Sequence, residues 1–227
     1  MKKGKVFVID SRSDGSGKAT QTELLHDRLS KEGYTVRKVD YPNYKSESSS
    51  LVKMYLKGAF GLDPGSVNPY MASTFYAVDR CASFHADWKD FYESGGIILA
   101  DRYTTSNMIH QAVKIEDTKE RKAYLDWLYD LEYIKCQLPI PDQVFLLDVP
   151  VDVSFELMRN RLNKIDNSES KDIHESNFEY LRKCYDNASE IANHYGWTRI
   201  ACTESIVMRS IESIHEEIYK NLIPHLL

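Results

Sequence analysis

Two short polar clusters in this 227-residue chain have the residue types needed to handle phosphate. The first, Asp14-Gly15-Ser16-Gly17-Lys18-Ala19-Thr20, follows the apolar run Lys5 to Ile9 and precedes a segment with Leu24, Leu25 and Leu29 at helical offsets. Glycines let successive amides turn toward an anion, a helix start adds positive potential, and a lysine supplies a full charge. Strand, loop and helix therefore arrive in the order required by a phosphate loop of the form GxxxxGK followed by Ser or Thr. Two positions depart from that form. Counting back from Gly17-Lys18 puts Arg12 where the first glycine belongs, and Ala19 replaces the hydroxyl that would ligate Mg²⁺. Either Arg12 occupies the glycine position or an extra residue within Ser11 to Ser13 rebuilds the turn; in both cases Arg12 is expected close enough to phosphate to help neutralise it. Thr20 replaces the hydroxyl if the helix start is shifted, and otherwise the metal relies on water and carboxylate.

The second cluster, Asp101-Arg102-Tyr103, directly follows the apolar run GGIILA. A carboxylate there can hold Mg²⁺ through water, and a guanidinium can clamp phosphate with two parallel hydrogen bonds. The alternative is that Asp101 merely caps the next helix. Upstream, in FYAVDR, Tyr76 and Arg80 lie four apart on one helix face. One could stack on a base while the other hydrogen-bonds its edge; core packing with a snorkelling arginine is the plainer reading.

The elements that must position these residues can be read from periodicity. Short apolar runs at Lys5 to Ile9, Thr35 to Val39, Ile97 to Ala100, Gln143 to Leu147 and Thr198 to Ala201 predict buried strands. Gly17 to Lys31, Tyr70 to Glu93, Lys119 to Cys136, Val151 to Leu162, Ser176 to Tyr195 and Ser205 to Leu222 predict helices, and the serines at Ser46 to Ser50 open another. This alternation implies an α/β fold with a parallel sheet covered on both faces and its ligand site at the strands' carboxyl ends. The polar interval Asn163 to Asp172 reads as a flap or as a plain solvated loop. A formal net charge of −5 argues against a nucleic-acid partner and for a small anion held by local cations. Cys81, Cys136, Cys184 and Cys202 lack metal-like spacing, which fits free thiols and a cytoplasmic setting; no run is long enough to span a membrane.

Taken together, DGSGKATQT, FYAVDR, DRYTTSNMIHQ and PDQVFLLDVPVDVSFELMRNR stand in the order and spacing of thymidylate kinases, which the chain resembles over essentially its whole length. The resemblance implies a three-layer P-loop NTPase fold: a five-stranded parallel sheet flanked by helices, as one kinase domain spanning 1–227 with a small lid at about 160–174. It implies transfer of the γ-phosphate of ATP to dTMP, assisted by Mg²⁺, in a homodimer. Gly15, Ser16, Gly17, Lys18, Ala19 and Thr20 would cradle the ATP phosphates, and Asp14 would approach the acceptor's 3′-hydroxyl. Arg102 would bind the acceptor phosphate and Asp101 would organise the metal. Tyr76 matches the base-stacking aromatic, Arg80 the arginine reading thymine O4, and Asn107 and Gln111 the far edge of the base. His110 departs from the aromatic that usually crowds the sugar, which weakens the case for deoxyribose selectivity. Tyr41 and Pro42 match a segment that often carries a phosphate-binding arginine; none follows here, leaving Lys45 or Lys53 for that role.

Phosphoryl transfer needs positive charge near the transferring group. Some relatives place an arginine in the loop directly after the acid, where this chain has Gly15; others supply it from the flap. The flap interval holds only Lys164 and Lys171, so Arg159 or Arg161 is expected to contribute, with Arg12 a further candidate. Two rivals stand beside this reading: a kinase for another nucleotide or a deoxynucleoside, and a nucleotide-binding protein that has lost catalysis. Arg102, as a phosphate clamp, favours a phosphorylated acceptor.

Overall fold

A computed structural model of the chain describes residues 3–159, 165 and 172–226. In chain order the strands are β1 Lys5–Ser11, β2 Val36–Asp40, β3 Ile97–Asp101, β4 Gln143–Asp148 and β5 Thr198–Ala201, followed by a hairpin of β6 Thr203–Glu204 and β7 Val207–Met208. The helices are α1 Lys18–Lys31, α2 Ser50–Leu56, α3 Pro69–Ser83, α4 Lys89–Glu93, α5 Thr104–His110, α6 Thr118–Tyr129, α7 Val151–Arg159, α8 Phe178–Tyr195 and α9 Ile211–Leu222. The first five strands form one parallel sheet in the order β2-β3-β1-β4-β5.

Alternation along the strands divides their side chains between two cores. Val6, Val8, Ile98, Ala100 and Val144 face Trp88, Tyr124 and Leu128, whereas Phe7, Ile9, Leu99, Phe145 and Leu147 face Leu25 and Leu29 of α1 and Ile214, Ile218 and Leu222 of α9. Each strand position thus feeds one of two helical layers, the pattern of a parallel sheet buried on both faces. The three-layer α/β expectation holds, and each of the five expected strands lies within two residues of its predicted bounds.

Two predicted helices are interrupted. The segment expected as Tyr70 to Glu93 is α3, a wide π turn at Phe84–Trp88, and α4. The turn buries Phe84 and Trp88, and Trp88 Nε1 donates to Tyr41 Oη at 3.0 Å. The segment expected as Lys119 to Cys136 likewise passes from α6 into a π turn at Asp130–Lys135, which carries Glu132 and Tyr133 into the interior. Such widened turns reorient side chains without ending a helix and leave the apolar period nearly intact. The helix expected from Ser205 starts only at Ile211, capped by Ser210, because Ser205 takes a left-handed turn at φ 58° that closes the β6–β7 hairpin. Ser46 caps a short 3₁₀ turn leading into α2, as the serine cluster suggested.

The second π turn delivers the partner of a buried cation. Arg80 Nε and Nη2 donate to the two Glu132 oxygens at 2.7 and 2.6 Å, and Thr104 Oγ1 donates to Glu132 at 2.6 Å. Arg80 is 1% and Glu132 0% exposed, so neither charge has recourse to water. Removing one partner strands the other. Glu132→Ala is expected to lower unfolding free energy by about 3–5 kcal/mol in a denaturant titration, with Arg80→Met plus Glu132→Leu recovering much of the loss.

Candidate active site

β1 ends at Ser11, directly before the position of the phosphate-loop pattern's first glycine. Ser11 pairs with Leu147 of β4, and the Arg12 amide donates to the Leu147 carbonyl at 3.2 Å. The chain then turns through Ser13, with Ser11 Oγ donating to the Ser13 carbonyl at 2.5 Å. Arg12, at the position of the pattern's first glycine, swings aside. Its Nη1 donates to Asp148 at 2.8 Å, its Nε donates to the Tyr185 carbonyl at 3.1 Å, and its guanidinium lies 3.3 Å from the Tyr185 ring centroid. Burial alone would raise the Asp148 carboxyl; Arg199 and Arg12 together hold it below its ordinary value. Arg12 was expected beside phosphate; its guanidinium is instead drawn to Tyr185 and to Asp148, which it shares with Arg199, and so tethers the loop to β4 and α8.

α1 begins at Lys18, so its start is not shifted. Thr20 is exposed one position beyond Ala19 and does not take over the hydroxyl's place. Gly15 and Gly17 adopt φ values of 76° and 85°, the left-handed region open to glycine. A Cβ on Gly15 would lie 2.9 Å from Met158 Cγ and 3.2 Å from the Ser154 carbonyl, since α7 packs directly on the loop. That contact excludes a side chain after the acid. Ser154 Oγ also donates to the Asp14 carbonyl. Ser16 Oγ is buried without a hydrogen-bond partner among the described residues.

The charged centre joins this loop to the end of β3. Asp101 is the last residue of β3, and the capping position of α5 belongs to Tyr103, so Asp101 is not a helix cap. Arg102 takes a left-handed φ of 68° and donates its amide to the Ile9 carbonyl at 3.1 Å. Its guanidinium pairs with Asp14 through Nη2 and lies 3.9 Å from Asp10. Lys18 Nζ donates to Ser11 Oγ at 2.7 Å and reaches the same Asp14 oxygen at 3.4 Å. Burial pushes the Arg102 pKa down, but Asp14, Asp10 and Asp101 outweigh it and hold the group charged. Asp10, missed in the sequence, is fully buried and accepts hydrogen bonds from Thr105 and Ser106 at 2.7 and 2.8 Å. Its signal was an acid near the end of a strand that opens into the loop.

A cavity of about 450 Å³ extends from this centre. Asp14, Tyr41, Pro42, Tyr76, Arg80, Asp101, Arg102, Asn107, His110 and Gln111, ten residues singled out from sequence, all line it, and Ala19 borders it on the loop side. Lys45 lines it too, whereas Lys53 lies behind the wall and donates to the carbonyls of Tyr44 and Ser46 at 3.3 and 3.5 Å. Of the two lysine candidates, only Lys45 faces the cavity. Arg102 Nη1 lies 3.3 Å from His110 Nε2. A guanidinium only donates, so Nε2 accepts and the ring proton sits on Nδ1, which is buried and has no partner among the described residues. Burial, reinforced by Arg102, pushes this imidazole down to about 4, so it is neutral at neutral pH.

Tyr44, Asp172, His174 and Glu175 also line the cavity and were missed. Burial and the neighbouring Glu175 raise the Asp172 carboxyl to about 7. Of the two lid arginines proposed from sequence, Arg159 closes α7 but its side chain lies outside the described residues, as does Arg161 altogether. The lid expected at about 160–174 is described only at residues 165 and 172–174.

Comparison with known proteins agrees with this geometry. The family model for thymidylate kinase matches residues 13–218. A probable thymidylate kinase from Thermococcus gammatolerans is 28% identical over 215 residues, covering 94% of this chain and 93% of its own. The thymidylate kinase of Mycobacterium tuberculosis (strain H37Rv) is 28% identical over 185 residues, covering 81% of this chain and 84% of its own. The solved structure of the Candida albicans thymidylate kinase superposes with a TM-score of 0.69 at 18% identity, over 98% of this chain and 92% of that one, which speaks to the fold. With a family model spanning most of its length and a phosphate loop, clamp and cavity in one continuous site, the chain belongs to the thymidylate kinase family.

Proposed function

We propose that the chain phosphorylates dTMP to dTDP with Mg²⁺-ATP by direct in-line transfer. The observation that carries this reading is one cavity lined together by Arg102, by Tyr76, Arg80 and Gln111, and by Asp14 and Ala19 of the phosphate loop. Gly15 to Thr20 and Lys18 hold the ATP phosphates. Arg102 and Lys45 hold the acceptor phosphate, Asp14 meets the sugar, and Arg80 and Gln111 read the base. The rate comes from positioning and from fixed positive charge.

Mg²⁺ is a hard cation that takes few protein oxygens and keeps several waters. Asp101, a cavity-lining carboxylate beside the clamp, fits as that ligand, whereas Asp10 is committed to its three hydrogen-bond donors. When bound, the ion would offset the negative charge of the phosphates. Among the described residues, the tight group Glu23, His26 and Asp27 lies on α1 at the surface, away from this site. The reading extends to a cytoplasmic homodimer acting on small molecules, with no nucleic-acid or membrane partner. It is supported by the net charge of −5, and no described helix is long and apolar enough to cross a membrane.

A coupled assay with Mg²⁺-ATP across dTMP, dUMP, dCMP, dGMP and thymidine is expected to show dTMP as the best acceptor and thymidine as inactive. Binding of ATP without turnover of any acceptor would refute the reading. Arg102→Met is expected to lower kcat/KM for dTMP by about a thousandfold in a steady-state assay. Ala19→Ser, which restores a hydroxyl at the start of α1, is expected to lower the Mg²⁺ concentration needed for half-maximal rate; an unchanged Mg²⁺ titration would remove Ala19 as the weak point of the metal site.

A further inference from the structure

Helix α8 is fastened on two sides to the two halves of the site. On one side it receives Arg12, which stands two residues before Asp14 at the root of the phosphate loop. Arg12 Nε donates to the Tyr185 carbonyl at 3.1 Å, and the guanidinium stacks 3.3 Å from the Tyr185 ring centroid. On the other side α8 holds the last turn of α5. Asn187 Nδ2 donates to the Met108 and Ile109 carbonyls at 3.0 and 2.7 Å, and Tyr180 Oη donates to the His110 carbonyl at 2.6 Å. Carbonyls at a helix C-terminus lack partners within their own helix, and here three successive ones are met by a single neighbour.

Spacing along α8 explains how one helix serves both ends. Tyr180 and Asn187 are seven apart and share a face, on which Cys184 and Ala188 pack against Ile109 and Leu146. Tyr185 stands about 200° round the helix from Asn187. Arg12 is 7% and Asn187 3% exposed, so water competes little for either contact. The start of α5 has its own anchor, since Thr105 and Ser106 donate to Asp10 at 2.7 and 2.8 Å. Its far end, which brings His110 and then Gln111 to the cavity wall, rests on α8. Direct transfer between two bound nucleotides depends on how donor and acceptor are aligned, and an error of about 1 Å can cost about a hundredfold in rate. Each nucleotide's own contacts set its affinity; the protein between them sets their alignment.

We propose that α8 is a strut that sets the phosphate loop relative to the acceptor wall, with Arg12 and Asn187 as positioning residues at its two ends. The inference rests on the two-nucleotide reading above and gives the residue in the first-glycine position a role in alignment. A strut released at either end holds nothing, so losing one end or both costs the same.

The test is a double-mutant cycle of Arg12→Met and Asn187→Leu, read as the single-turnover rate of dTMP phosphorylation by Mg²⁺-ATP, beside the Kd of Mg²⁺-ATP alone and of dTMP alone. Removing Arg12 does not strand Asp148, which keeps Arg199 at 2.7 Å. Each single variant is expected to lower the rate by about tenfold with both Kd values within about threefold of wild type, and the double variant to match the slower single within about twofold. Two sites without a shared constraint would instead multiply to about a hundredfold. A double variant slower than either single by more than about twofold, a single variant within about twofold of wild type, or a Kd moved by more than about threefold overturns the proposal. Should Arg12→Met or Asn187→Leu fail to unfold cooperatively, Arg12→Lys or Tyr180→Phe replaces it under the same criteria. Absence of dTMP turnover by wild type overturns the acceptor reading and the strut with it, whereas wild-type turnover with multiplying losses overturns the strut alone.

Discussion

The site depends on one carboxylate shared by two buried cations. Asp14 accepts from Arg102 and from Lys18, which arrive from opposite directions: one from the end of β3, the other from the start of α1. A guanidinium and an ammonium this close would repel strongly where water is scarce, and the shared acid is what lets both remain charged side by side. The backbone is bent to serve this. Arg102 sits in a left-handed conformation that most residues avoid, and its amide is fastened to β1, so its side chain is aimed back across the sheet rim toward the loop. Asp10, itself fixed by the hydroxyls of Thr105 and Ser106, backs the arrangement from below. Anionic ligands would thus meet cations whose positions are already set, the arrangement in which fixed charge contributes most to phosphoryl transfer.

The sheet order places those groups together. β3 and β1 are neighbours, with Ile9 in register with Asp101, so the loop after one strand and the residues after the other leave the sheet at the same level. This much was legible in the sequence, because buried parallel strands are short apolar runs and because a ligand site at their carboxyl ends follows from topology alone. Lys18, Asp14, Asp101 and Arg102 were found that way. Tyr76, Arg80 and Gln111 were found through resemblance, and all three line the cavity.

The features that were not legible share a physical cause: they depend on what meets a residue, and sequence reports only the residue. Arg12 read as a phosphate ligand because it stands beside the loop, yet Asp148 and Tyr185, 136 and 173 positions away, claim its guanidinium. The two π turns are invisible to a helical period, although each brings a buried group inward, Trp88 under Tyr41 and Glu132 under Arg80. His174 carries no motif. It reaches the cavity because Ile173 donates its amide to the Leu56 carbonyl at the end of α2, seating the following imidazole against Tyr55.

From the phosphate end to the base end, the polarity of the cavity wall is set by groups that have no alternative. Arg102 can only donate, so it fixes the tautomer of His110; Lys114 can only donate, so it takes a lone pair of the Tyr55 hydroxyl. Both cations act at one remove, each turning an ambiguous neighbour into a defined donor or acceptor. Asn107, His110 and Gln111 are nearly inaccessible to water, and each keeps a polar atom without a partner among the described residues. Unpaired buried atoms cost stability unless something completes them. All three line the cavity along α5 and its C-terminal end, and on the proposed reading an acceptor nucleotide would complete them, so that recognition and the relief of that cost would be the same event.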